Sequence, residues 1–196
     1  MVSPREIVMP VPATASIREE LVVEARWFRA SKGWRGPAVT VHDYVLWHGR
    51  EYPSLALTPE ELERALRAVD RAGPPRSWRR KKCFYNAQRI AMFGEDPGLR
   101  YVEGYVRCGG GLLIDHAWAT LDAKVLDLTM RRDKRRGHGR FRDRVLGTFE
   151  DRAYFGVELD TRLARERIVE TGTSSPLLND WERDWPLLRR EAESRA

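Results

Sequence analysis

Cysteine is scarce in this chain. Its 196 residues hold two, Cys83 and Cys108, too few for a disulfide framework and not spaced as a metal-ligand pair. If either thiol matters, it matters as a thiol. Long apolar runs are also missing: nothing approaches the roughly 18 residues of a membrane-crossing helix, so no membrane partner is expected. The opening "MVSPREIVMPVPATAS" lacks the apolar centre of a signal peptide, which makes the cytoplasm the expected location. Internal repeats and low-complexity tracts are absent too, excluding solenoids and arrays. What is present is 42% hydrophobic and 33% charged residues with seven tryptophans, the composition of a globular chain long enough for a sizeable core.

The net charge of +6 is concentrated. The stretch "RRDKRRGHGRFRDR", 131–144, holds eight Arg/Lys and two Asp, which is +6 by itself. A second basic cluster, "RSWRRKK", runs from Arg76 to Lys82 and ends just before Cys83. The high isoelectric point thus reports two local patches.

Along the chain, Ser16 to Glu19 forms a capping box, and Ile17, Leu21, Ala25 and Phe28 make a helical stripe to about Ala30. "AVTVHDYVLW", 38–47, is rich in β-branched residues and reads as a strand. "LTPEELERALRAVDRAG" reads as a helix, with Thr58 as cap, Pro59 at the first helical position and Gly73 as stop. "CFYNAQRIAMFG" gives a short helix whose apolar stripe starts at Cys83, continues through Ala87, Ile90 and Ala91, and ends at Gly94. "RYVEGYVR" alternates as a strand. "LLIDHAWATL" and "KVLDLTM" read as two further strands around a tight turn at Asp122-Ala123. A short strand at "YFGVEL" and a helix capped by Asp160 follow; the tail after "TGTSSP" is ambiguous. This order predicts an α+β fold with an antiparallel sheet. It divides into an N-terminal extension over 1–75 packed on the core, a core over 76–160 and a helical tail over 161–196.

Two polar residues interrupt the central apolar strands, His116 and Asp127. If Asp122 and Ala123 are the loop, Leu121 pairs with Lys124 and Trp118 faces Asp127. His116 then lies diagonally from Asp127, about 7–8 Å away between backbones. A loop of Leu121 and Asp122 sets His116 directly opposite. Either register keeps the pair on one face; a three-residue loop separates them. A carboxylate on one imidazole nitrogen fixes the tautomer and leaves the other free for proton transfer. Cys83 fits as the nucleophile, because a helix start and the preceding "RRKK" both favour a thiolate. Each residue also has an ordinary reading: a small buried hydrophobe, a satisfied core histidine, a strand-end aspartate.

The order of cysteine at a helix start, histidine on a strand and aspartate on the next strand resembles the papain-like superfamily in its transglutaminase-like and NlpC/P60-like branches. "HAW" followed by "VLDLT" looks like the transglutaminase-like His-x-Trp and Asp-x-Thr pattern. "CFYNAQ", "YVEGY", "DHAW", "VLDLT" and "YFGVEL" together resemble small uncharacterised bacterial and phage proteins, over about 83–159. The resemblance implies a papain-like or transglutaminase-like core with the nucleophile-bearing helix on the sheet. It implies Cys83 as nucleophile, His116 as base, Asp127 as orienting carboxylate, and an amide, peptide or isopeptide-type protein substrate. The oxyanion-hole side chain common upstream of such nucleophiles has no counterpart in "WRRKK"; the Cys83 N–H, Asn86 and Gln88 are candidates, Asn86 being equally suited to local backbone bonding.

Glu103 shares a strand face with Tyr101 and Tyr105, either bordering the site or solvated, and Trp118 is expected to pack over the site. A zinc site from Cys83, Cys108, His116 and Asp127 has suitable ligand types but no close ligand pair, so neither metal nor cofactor is expected. His42, His48 and His138 read as surface or loop residues. Arg131, Arg132, Lys134, Arg135, Arg136 and Arg140 form an electrostatic footprint for phosphates as readily as a solvated loop. They support a second reading, a catalytically silent member of the fold binding nucleic acid or another partner through 76–82 and 131–144. The sequence carries no signal for oligomeric state.

Overall fold

The computed structural model describes residues 16–30, 34–73, 82–108, 111–129 and 152–196. Helix α1, Ile17–Ala30, starts where expected. Ser16 Oγ accepts from the Glu19 N–H at 3.3 Å, and the Glu19 carboxylate accepts from the Ser16 N–H at 2.7 Å. It buries Ile17, Leu21 and Ala25.

The segment read as a strand over 38–47 is instead helix α2, Val41–His48. Thr40 and Asp43 form a second capping box, each accepting from the other's backbone N–H at 3.1 Å. Val41 and Val45, four residues apart, share the buried side. Capping chemistry and burial against α1 outweigh the β preference of single residues. The strand arrives after Gly49, as the short β1, Arg50–Tyr52.

Helix α3, Pro59–Ala72, has the Thr58 cap and Gly73 stop that its sequence predicts. Helix α4, Cys83–Phe93, begins at the cysteine. Strands β2 (Leu99–Arg107), β3 (Leu113–Leu121), β4 (Lys124–Leu126) and β5 (Ala153–Leu159) join β1 in a five-stranded sheet of order β1-β5-β2-β3-β4, each neighbouring pair antiparallel. The fold is α+β. Helix α5, Thr161–Thr171, is capped by Asp160 and ends at Gly172; the ambiguous tail forms a short 3-10 turn, Trp181–Arg183, and helix α6, Pro186–Ser194.

Side-chain alternation sends the two faces of the sheet to different cores. Tyr101, Tyr105, Ala117, Phe155 and Val157 pack with α1, α2 and the cysteine-bearing α4, and Leu177, Leu178 and Leu188 of the tail close the same core. Ala119 and Leu121 meet α3 and Ile90 in a second cluster. On the other face, Tyr52, Val102, Val106, Trp118, Val125 and Tyr154 form a third. Gly104 pairs with Gly156 on one side and His116 on the other. A Cβ at Gly104 would stand 2.2 Å from the Phe155 carbonyl oxygen, and one at Gly156 would strike the Trp118 ring at 2.7 Å. Glycine lets the strands and Trp118 close beneath His116.

Candidate active site

Strand β4 stops at Leu126, so β3 lacks a paired β4 residue beside His116. There the chain leaves the sheet through Asp127 and Thr129, and Asn86 Nδ2 of α4 donates to Thr129 Oγ1 at 2.9 Å. This bond ties the cysteine-bearing helix to the segment carrying the aspartate. The hairpin behind it is the two-residue form: Leu121 pairs with Lys124, and Asp122 and Ala123 both have left-handed backbones, φ 48° and 68°.

His116 and Asp127 are both sealed, at 3% and 2% exposure. His116 Nε2 meets Asp127 Oδ2 at 2.7 Å. The same oxygen accepts from the Tyr154 hydroxyl at 3.0 Å, and Oδ1 accepts from the Thr129 N–H at 2.9 Å. Such a carboxylate is hydrogen-bonded on both oxygens, which is what its burial requires. Trp118 lies nearly parallel to the imidazole, centroids 6.3 Å apart at 19°, and is wedged edge-on against Tyr52 and Tyr154. The imidazole is thus fixed in plane and in tautomer.

Cys83 is half-buried at the first position of α4, near enough to His116 for the thiol to act on the charge of the ring. With Nε2 engaged by Asp127, Nδ1 is the nitrogen left for another partner. Burial by itself lowers the His116 pKa. The Asp127 charge and hydrogen bond, then Cys83, outweigh it and raise the imidazole to about 10. Lys82 supplies no side-chain cap to α4. The first-turn N–H groups therefore stand beside the sulfur, positioned to receive negative charge.

The other candidates fall into different places. Gln88 is fully buried, its Nε2 donating to the Tyr101 hydroxyl at 3.1 Å and to the Ser175 carbonyl at 2.8 Å. Glu103 is 2% exposed. It accepts from the Tyr101 hydroxyl at 2.5 Å and from the N–H groups of Leu177 and Leu178 at 2.6 and 2.9 Å. Both residues therefore latch the C-terminal segment onto the sheet; of the two readings for Glu103, the solvated one is removed. Cys108 packs at the border of the Trp118 cluster, on the other sheet face from α4. His42, expected at the surface, is buried in α2 with its ring stacked on Tyr105 at 4.9 Å. The helix that replaced the expected strand turns it inward. His48 lies half-exposed in the last turn of α2, against Glu191.

Tyr154 was not singled out by sequence, because β5 meets β2 only through the tertiary fold; its alternation onto the face of Trp118 is the signal that the sheet order makes readable. Arg131, Arg132, Lys134, Arg135, Arg136, Arg140 and His138, and the 76–82 cluster apart from Lys82, lie outside the described residues. Among the described residues no group of three or more His, Cys, Asp and Glu is arranged to hold a metal, and no helix is long and apolar enough to cross a membrane. Comparison with protein-family models, curated proteins and solved structures finds no match to this chain.

Proposed function

We propose that the chain is a cysteine-dependent acyl-transfer enzyme or hydrolase with Cys83 as nucleophile, His116 as acid and base, and Asp127 as orienting carboxylate, on a papain-like or transglutaminase-like core. The observation that carries the reading is the continuous line from the helix-initial sulfur through one buried imidazole to a carboxylate held by Tyr154 and Thr129. A buried histidine needing only satisfaction could be served by one backbone carbonyl; a ring held by a carboxylate on one nitrogen, with a thiol nearby, suits proton transfer.

In the reaction, the Cys83 sulfur attacks the carbonyl carbon of an amide, and the oxygen takes up the electron pair beside the first-turn N–H groups of α4. The tetrahedral species collapses by breaking the C–N bond, and the leaving amine takes the proton from His116 Nδ1. Water or a second amine then attacks the thioester, giving its proton to His116, and the Cys83 sulfur leaves. Asp127 keeps Nε2 occupied throughout, so one nitrogen performs both transfers.

The test has two parts. Iodoacetamide alkylation of the native protein, read at Cys83 and Cys108 by peptide mass spectrometry, should modify Cys83 faster below neutral pH, and His116→Ala should remove that advantage. An activated acyl ester such as p-nitrophenyl acetate should then release a burst of nitrophenolate and leave an acetyl group on Cys83, with deacylation slowed in His116→Ala. A Cys83 that reacts no faster than Cys108, or takes no acyl group, removes the reading. The basic clusters, and with them a binding role toward nucleic acid or protein, would then be the better guide.

A further inference from the structure

Away from the sulfur, on the α1–α2 side of the sheet, lies a cavity of about 290 Å³. Its walls include Phe28, Trp34, His42 and Tyr105, and its polar groups include the carboxylates of Glu24 and Asp115. The rings form a continuous series. Trp34 packs edge-on against Phe28 at 5.3 Å, Phe28 meets His42 at 5.2 Å, and His42 stacks on Tyr105 at 4.9 Å and 21°. Trp34 is itself pinned by a 2.8 Å hydrogen bond from its indole N–H to the Pro37 carbonyl.

The charge of this cavity runs against that of the chain. Among the described residues no lysine or arginine lines it, whereas the whole sequence is +6. Asp115 makes no ion pair among the described residues; Glu24 has only His42, at 3.2 Å from Nε2. His42 is 7% exposed and its Nδ1 has no hydrogen-bond partner among the described residues. Asp115, paired across the strands with Tyr105, is exposed at the edge of the cavity. Partial desolvation by the neighbouring cavity walls pushes it up to about 6, with the charges of His116 and His42 pulling downward. An uncompensated carboxylate in such a place gains most from a cation.

We propose that this cavity receives a monoalkyl cation, a guanidinium or ammonium group on an apolar stem, with the head between Glu24 and Asp115 and the stem against Phe28, Trp34 and Tyr105. Aromatic faces and carboxylates attract the same charge, and the apolar walls match the stem. Asp115 directly precedes His116 and pairs with Tyr105, whose core cluster also includes Cys83. On the acyl-transfer reading, the cavity is therefore a specificity pocket: the substrate is a polypeptide with a basic side chain near the reacting carbonyl.

The experiment titrates the full chain with n-butylguanidinium and, as its uncharged counterpart, n-butylurea, following the Trp34 indole N–H by NMR. Saturable binding of the cation alone is expected, weakened roughly tenfold or more in Asp115→Asn and in Glu24→Gln. Both sites open to solvent, so these variants keep the fold. Bound butylguanidinium should also slow iodoacetamide alkylation of Cys83 without affecting Cys108. Absence of saturable binding, equal binding of the urea, or undiminished binding in Asp115→Asn overturns the proposal. Binding without protection of a reactive Cys83 overturns the specificity role. A Cys83 that is inert with and without ligand, while the cation still binds at Asp115, removes the acyl-transfer reading and leaves the cation pocket standing.

Discussion

Asp127, just past the end of β4, and Glu103, on β2, are two buried carboxylates, each 2% exposed and each hydrogen-bonded on both oxygens, with different consequences. Asp127 takes its bonds from an imidazole, a phenol and one backbone N–H, and the imidazole leads on to Cys83. Glu103 takes its bonds from a phenol and two backbone N–H groups; these lead to the tail at Leu177 and Leu178 and, through Tyr101, to Gln88 and Ser175. The physical demand is the same, since a buried carboxylate must be satisfied. What separates a candidate for chemistry from a structural latch is whether one donor can itself exchange a proton with a third group.

The comparison can be broken most sharply by pH. Burial, opposed by the bonds from Tyr101, Leu177 and Leu178, leaves Glu103 raised from 4.5 to about 7. His116, where Asp127 and Cys83 outweigh burial, is raised from 6.5 to about 10. Both shifts are upward, so each group's contribution to stability is complete below its unfolded value and is lost as pH climbs through its folded value. The windows differ: about 4.5 to 7 for Glu103, about 6.5 to 10 for His116. At about 1.4 kcal/mol per pH unit, the losses are on the order of 5 kcal/mol for His116 and 3 kcal/mol for Glu103. Urea unfolding at a series of pH values should show Glu103→Gln flattening only the lower window and Asp127→Asn only the upper. A slope that survives both variants would mean that other groups govern the pH dependence.

Truncation sharpens the same contrast. Asp127→Ala leaves the His116 ring buried without its acceptor and should cost about 3–5 kcal/mol in urea unfolding, while abolishing the alkylation advantage of Cys83. Glu103→Ala strands the Leu177 and Leu178 N–H groups and the Tyr101 hydroxyl, for a loss of about 3 kcal/mol. Its signature should be protease cleavage between 173 and 180, with Cys83 still reactive. If Glu103→Ala silences Cys83 as completely as Asp127→Ala does, the division between site and latch is wrong.

How far each region could be read from sequence follows the range of its contacts. The Asp127 side was legible because its main parts are local. A two-residue hairpin fixes the parity of His116 and Asp127, and Cys83 heads a helix whose apolar stripe is visible. The caps at Ser16, Thr58 and Asp160 were legible for the same reason. The Glu103 side was not, since its partners lie 74 and 75 residues away and are backbone N–H groups, which carry no sequence signature. Tyr154 escaped notice on similar grounds, with the basic stretch 131–144 between it and Asp127. Helix α2 is the local failure: Thr40 and Asp43 form a capping box in plain view, but Val39, Val41 and Val45 suggested a strand. Spacing and caps outranked composition there.

The finest test exchanges the two phenols. Tyr154 and His116 bond the same oxygen of Asp127, Oδ2, so the hydroxyl competes with the imidazole for that oxygen's charge. Tyr154→Phe removes the competitor, at a cost of about 1 kcal/mol for the lost hydrogen bond. It should leave His116 charged to slightly higher pH, visible as an upward move of its ring-nitrogen titration by NMR. Tyr101→Phe costs about as much but acts on Glu103. Losing a donor to its ionised form, Glu103 should rise further, while the His116 titration stays in place. Equal movement of His116 in both variants would mean that the two carboxylates act as one electrostatic unit. Movement in Tyr154→Phe alone would establish that the line from Cys83 ends at Asp127 and that the latch is electrically separate from it.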